Sequence, residues 1–148
     1  MYSRDMNTAY ALRPVTPVAP AAPFRRGRYA VIVITTALTN LLVLLIGSSW
    51  GASMVVNTSG TTEIIAPIVI AASVVPLTLA GIATWFAAKR TPAARVWAAR
   101  IVGVVALLSA IAPFVMATDV ATGATLAVMH LVVGSAFLLA TLTGRGRG

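Results

Sequence analysis

The sequence predicts an all-α, membrane-embedded antiparallel four-helix bundle with a disordered N-terminal tail, and three observations point there. The first is composition: 59% of the 148 residues are hydrophobic, 9% are charged and the mean hydropathy is +0.94, far from a soluble domain. A water-soluble chain of this length would have to bury nearly all its apolar residues, whereas small domains leave much of their surface to solvent. The second is the length of the uncharged runs. The third is the placement of the charges between them.

Residues 1–28 carry Pro14, Pro17, Pro20 and Pro23 in ALRPVTPVAPAAPF and no amphipathic period, so they read as a disordered or polyproline tail. The paired arginines of FRRGRYAVIV invite comparison with a twin-arginine export signal. The apolar run behind them is longer than a signal core, and GSSWGAS gives no clear small-residue cleavage site. An uncleaved first span is expected instead, from Tyr29 to Trp50. At about 1.5 Å per residue it covers roughly 33 Å, enough for a hydrocarbon core of about 30 Å.

An outer loop, GASMVVNTSGTTE, leads into a second span at about 64–88. A third span at about 96–118 is preceded by Thr91 and Pro92. A hydroxyl followed by proline is a helix-start signal, so this helix is expected to begin near Pro92 and to carry Arg95, Trp97 and Arg100 through the headgroup layer. The short loop TDVATG then makes the third and fourth helices antiparallel neighbours, the fourth spanning about 123–143. The transmembrane domain thus covers 29–144, with a second tail at 145–148. Pro67, Pro76 and Pro113 each remove a backbone donor and are expected to bend their helices. Abundant alanine and glycine favour close helix approach.

The charges divide cleanly. Arg25, Arg26 and Arg28 precede the first span, Lys89, Arg90, Arg95 and Arg100 separate the second from the third, and Arg145 and Arg147 follow the fourth. The remaining two gaps hold Glu63 and Asp119 and no basic residue. The positive-inside rule then places both termini and the middle loop in the cytoplasm, which only an even number of spans allows. The net charge of +8 is on this reading orientation plus attraction to anionic headgroups, about 1 kcal/mol per basic residue near the surface. The headgroup contacts are Arg25, Arg26, Arg28, Lys89, Arg90, Arg95, Trp97 and Arg100. Nucleic acid is not an expected partner, since the charge is not gathered on one folded face.

Cysteine is absent, which excludes disulfides, thiolate metal sites, iron–sulfur clusters and cysteine nucleophiles. A single histidine excludes bis-histidine haem within one chain, and phosphate-binding glycine loops, catalytic triads and paired catalytic carboxylates are missing. The expectation is therefore no enzyme, no metal and no cofactor. Asn40 and Ser109 are candidate interhelical polar contacts, because a polar group at membrane depth needs a partner.

Glu63 is expected in the first turn of the second helix, where a carboxylate complements the dipole by about 0.3 to 1 kcal/mol. Asp119 is expected as a loop or cap residue. His130 falls about six residues into the fourth helix, roughly 9 Å deep. Two roles are open for it: a neutral histidine hydrogen-bonded inside the bundle, or a member of an outer cation or proton site with Glu63 and Asp119.

Four features in order carry a resemblance: the polar loop before an alanine-rich helix, KRTPAARVW, SAIAPF at Ser109 to Phe114, and MHLVVGSAF from Met129 to Phe137. Over Glu63 to Leu142 the chain resembles a family of small actinobacterial four-span integral membrane proteins catalogued as a domain of unknown function. The resemblance implies a four-helix membrane fold, makes the histidine and the SAIAP element part of the family pattern, and assigns no activity. Taken together, the expectation is a non-enzymatic accessory or interaction protein of the cell membrane. Its partners would be the bilayer and either itself or another membrane protein. The alternative is a small transporter or channel-like subunit with an outer polar site.

Overall fold

The computed structural model describes residues 26–91 and 93–142, with Arg26, Arg95 and Leu142 described by their backbone alone. The proline-rich tail, Arg25, Pro92 and the 145–148 segment lie outside the described residues. The elements run α1 (Arg26–Ser49), β1 (Val55–Asn57), β2 (Thr61–Glu63), α2 (Ala66–Arg90), α3 (Ala94–Ser109), α4 (Ala112–Met116) and α5 (Val120–Leu142). With α3 and α4 taken as one crossing, four helical segments among the described residues are long and apolar enough to span a membrane. Helices are the answer that lipid demands, because each backbone N–H and C=O must be paired within the segment.

Each boundary has a local cause. After α1 the chain turns at Gly51, whose φ of 86° is left-handed. The Ala52 N–H donates to the Gly47 carbonyl and the Gly51 N–H to that of Ser48, both at 3.1 Å, a Schellman closure that only glycine enters freely. Pro67 occupies the first turn of α2, where a missing N–H costs nothing. It starts the helix, contrary to the expected bend. α2 ends because Thr91 precedes proline and is held extended, at φ −137° and ψ 126°. Thr91 therefore closes α2, and α3 starts later than expected, at Ala94, with no side-chain cap.

The third crossing is not one helix. Pro113 has no N–H to offer the Ser109 carbonyl, α3 stops at Ser109, and α4 begins with Pro113 in its first turn. The first loop also departs from expectation. It holds a short antiparallel hairpin in which Val55 pairs with Glu63 and Asn57 with Thr61, and Ala117 bridges to Val56 from the other side.

α1 packs between α2 and α5, and α5 packs in turn on α3 and α4, while α2 and α3 touch more sparsely. One apolar cluster, near the hairpin, gathers Leu44, Met54, Val69 and Met129; another, toward the opposite end, gathers Val33, Leu77 and Phe137. Gly134 lies so close to Ala106 of α3 that a Cβ there would overlap the alanine methyl. Between helices in lipid such close approach replaces the missing hydrophobic drive. The outward surface is apolar, with Leu45, Leu107 and Val115 among its exposed residues.

Candidate functional site

The antiparallel helices gather like charges. Arg26, Arg28, Lys89, Arg90, Arg95 and Arg100 sit where α1 and α3 begin and α2 ends, whereas Glu63 and Asp119 sit at the hairpin end. At the basic end the Lys89 Nζ lies 3.6 Å from the centroid of the Trp85 ring and 5.8 Å from that of Phe86, and the Arg100 guanidinium lies 5.3 Å from that of Trp97. These cation–π contacts hold the charges beside amphipathic rings that favour the headgroup level.

At the hairpin end Asp119 organises a polar knot. Its Oδ1 accepts the Thr122 N–H at 2.7 Å, the capping bond of α5. Its Oδ2 accepts the hydroxyls of Ser53 and Thr122 and, at 3.3 Å, the Ser53 N–H. The Thr122 oxygen in turn accepts the Met54 N–H at 3.0 Å. Met54 has a φ of 54°, unusual for a residue with a Cβ. Both of its backbone groups are engaged, since its carbonyl takes the Ile64 N–H at 2.7 Å. Thr118 adds its N–H and hydroxyl to the Val55 carbonyl. Ser53 and Thr122 were not among the sequence candidates; the spacing of an aspartate three residues before a threonine at a helix start is the signal that marks them.

These donors hold the Asp119 carboxyl well below the usual carboxylate range, the Ser53 hydroxyl first and then the Thr122 hydroxyl and N–H. A carboxylate lowered in the folded state stabilises above its unfolded value, about 3.9, and that contribution drains away as pH falls below it. Fluorescence of Trp50, which adjoins the hairpin, is expected to hold steady from pH 7 to about 4 and to shift below. Asp119→Asn should remove that acid transition, and a variant that keeps it would assign the change to another group.

Between α2, α3, α4 and α5 lies a cleft of about 570 Å³. Its floor includes Asn40, Ser73, Leu77 and Phe137, all buried, and its walls are exposed at Ala72 and Pro76 on α2 and at Val105, Ala112 and Met116 on α3 and α4. It therefore opens sideways, between α2 and α3, which touch sparsely. Asn40 donates to the Ser73 hydroxyl oxygen at 2.9 Å across α1 and α2, and Ser73 spends its only proton on the Val69 carbonyl at 2.7 Å. The Asn40 Oδ1 is buried and has no donor among the described residues. Ser109 also lines the cleft, but the expected interhelical bond is absent. Its hydroxyl donates to Ala106 of its own helix at 3.0 Å, the local choice open to a serine at a helix end.

His130 departs from the neutral interior role as well. It is exposed on the cleft side of α5, and its Nδ1 meets the Leu126 carbonyl one turn back at 2.8 Å. Nor does the fold gather Glu63, Asp119 and His130. Glu63 is exposed in β2, before α2, whose first turn has no acid. His130 follows Asp119 by eleven residues of helix, about 16 Å. Among the described residues no group of three such side chains is placed to hold a metal ion.

No curated protein and no solved structure matches the chain. The sequence profile of DUF6069, a family of unknown function, matches residues 20–147 and so takes in α1 together with the whole region of resemblance. Four apolar helices, a capped hairpin end and a lateral cleft are thus the features of a chain that belongs to the DUF6069 family of unknown function.

Proposed function

We propose that this chain is a non-enzymatic integral protein of the cell membrane that works by lateral contact inside the bilayer, as an accessory to another membrane protein or to its own copies. In this arrangement the basic end and both termini face the cytoplasm, where Arg25, Arg26, Arg28, Lys89, Arg90, Arg95 and Arg100 meet anionic headgroups. The four-span, actinobacterial character implied by the resemblance is part of the same proposal.

What supports it most directly is the way the bundle opens. The hairpin folds back over one end with Met54 and Val56 buried, and the interior space gives onto lipid between α2 and α3. A partner reaches it from the side. A channel-like subunit is the weaker reading, because its polar site would need Glu63, Asp119 and His130 together.

Reporter fusions after Ser59 are expected to be active outside the cytoplasm, and fusions after Arg90 and at Gly148 inside; the opposite pattern would overturn the orientation. A photocrosslinker at exposed Leu107 is expected to give one reproducible protein adduct in native membranes. Lipid adducts alone at every exposed position would refute the accessory role.

A further inference from the structure

From the hydrogen-bond inventory of the cleft we infer that it is a binding site for a neutral membrane lipid carrying a free hydroxyl. The volume of about 570 Å³ falls within the range of small-molecule pockets, about 300 to 1,000 Å³, which are mostly apolar with a few placed polar groups. The apolar walls suit acyl chains, and the sideways opening admits a molecule already dissolved in the bilayer.

The polar groups select the head. Ser73 and Ser109 have given their protons to helix carbonyls. The Asn40 Oδ1 is left without a donor among the described residues, on a residue only 2% exposed. Pro76, which lines the cleft, has no N–H for the Ala72 carbonyl one turn back, and Ala72 lines it too. A carbonyl only accepts, so the His130 Nδ1 spends its hydrogen on the Leu126 carbonyl. Apart from the second amide hydrogen of Asn40, the polar groups named here offer acceptors.

A hydroxyl supplies a donor, and its oxygen takes the second amide hydrogen of Asn40. A carboxylate or phosphate head brings further acceptors and a negative charge, and among the described residues no lysine or arginine lines the cleft to meet it. The occupant is accordingly an uncharged lipid alcohol such as a diacylglycerol.

The test uses the full chain in phosphatidylcholine nanodiscs with a diacylglycerol carrying a photoreactive group in one chain. Labelling is expected on cleft residues of α2, α3 and α5, displaced by unlabelled diacylglycerol and not by the same lipid with its hydroxyl acetylated. Asn40→Leu should lower it about fivefold to tenfold, the effect of one buried hydrogen bond. Should that variant fail to fold, Val105→Trp, which fills the exposed mouth of the cleft, should lower it similarly. Equal displacement by the acetylated lipid or by phosphatidic acid would overturn the proposal. So would labelling confined to the outer helix faces, or a cleft that crosslinks only to a second copy of the chain.

Discussion

Gly134→Ala is expected to destabilise the purified bundle by about 1–3 kcal/mol, the usual cost of an overpacked contact. The new methyl would meet the Ala106 methyl of α3, and neither can rotate away because a Cβ has no rotamer. Relief comes only by moving α3 from α5, the closest seam of the bundle, and with it the wall of the cleft. Gly103→Ala is the matched control. Its Cβ would meet the Leu138 methyls at 3.6 and 3.8 Å, ordinary contact, and alanine gains about 0.5–1 kcal/mol over glycine inside a helix. Denaturant unfolding in detergent should thus separate the two variants in sign. Equal losses would show that the α3–α5 contact is not what Gly134 protects.

Thr122→Val is expected to free the hairpin while the helices stay folded. Valine keeps the shape of this fully buried residue but deletes the oxygen that accepts the Met54 N–H and donates to Asp119. A buried N–H left unpaired costs about 1–3 kcal/mol, and Met54 sits at a left-handed φ that its own side chain disfavours. Hydrogen exchange of the amides between Val55 and Glu63 should accelerate, with little change in α1 and α5. Thr122→Ser, which restores the hydroxyl, should recover most of the protection. If serine and valine behave alike, the hydroxyl is not the tie.

Hydropathy made the helical crossings legible, because apolar length in lipid leaves the chain one solution. The hairpin was less visible. Three-residue strands are too short to show alternation, although Val55, Val56, Thr61 and Thr62 flanking Asn57-Thr-Ser-Gly60 hold the β-branched and turn residues that such a hairpin uses. Glu63 was placed on α2 because the uncharged run begins beside it, whereas Pro67 fixes the first turn and pushes the boundary to Ala66.

Asn40 and Ser109 looked alike as polar residues at depth. One found a neighbour across the bundle and the other its own backbone, a choice that depends on which face each presents. The cleft itself was invisible, since it depends on how α2 and α3 meet across the bundle, which hydropathy does not encode.

The hairpin has a consequence for how copies of the chain coexist in one membrane. β1 is flanked by β2 on one side and by Ala117 on the other, so β2 is the edge strand, with all three of its residues exposed. Such an edge is a template on which a neighbour can add a strand. Here it is three residues long and ends in the Glu63 carboxylate, and short charged edges discourage that growth. Glu63 thereby guards the one open edge of the hairpin against strand addition.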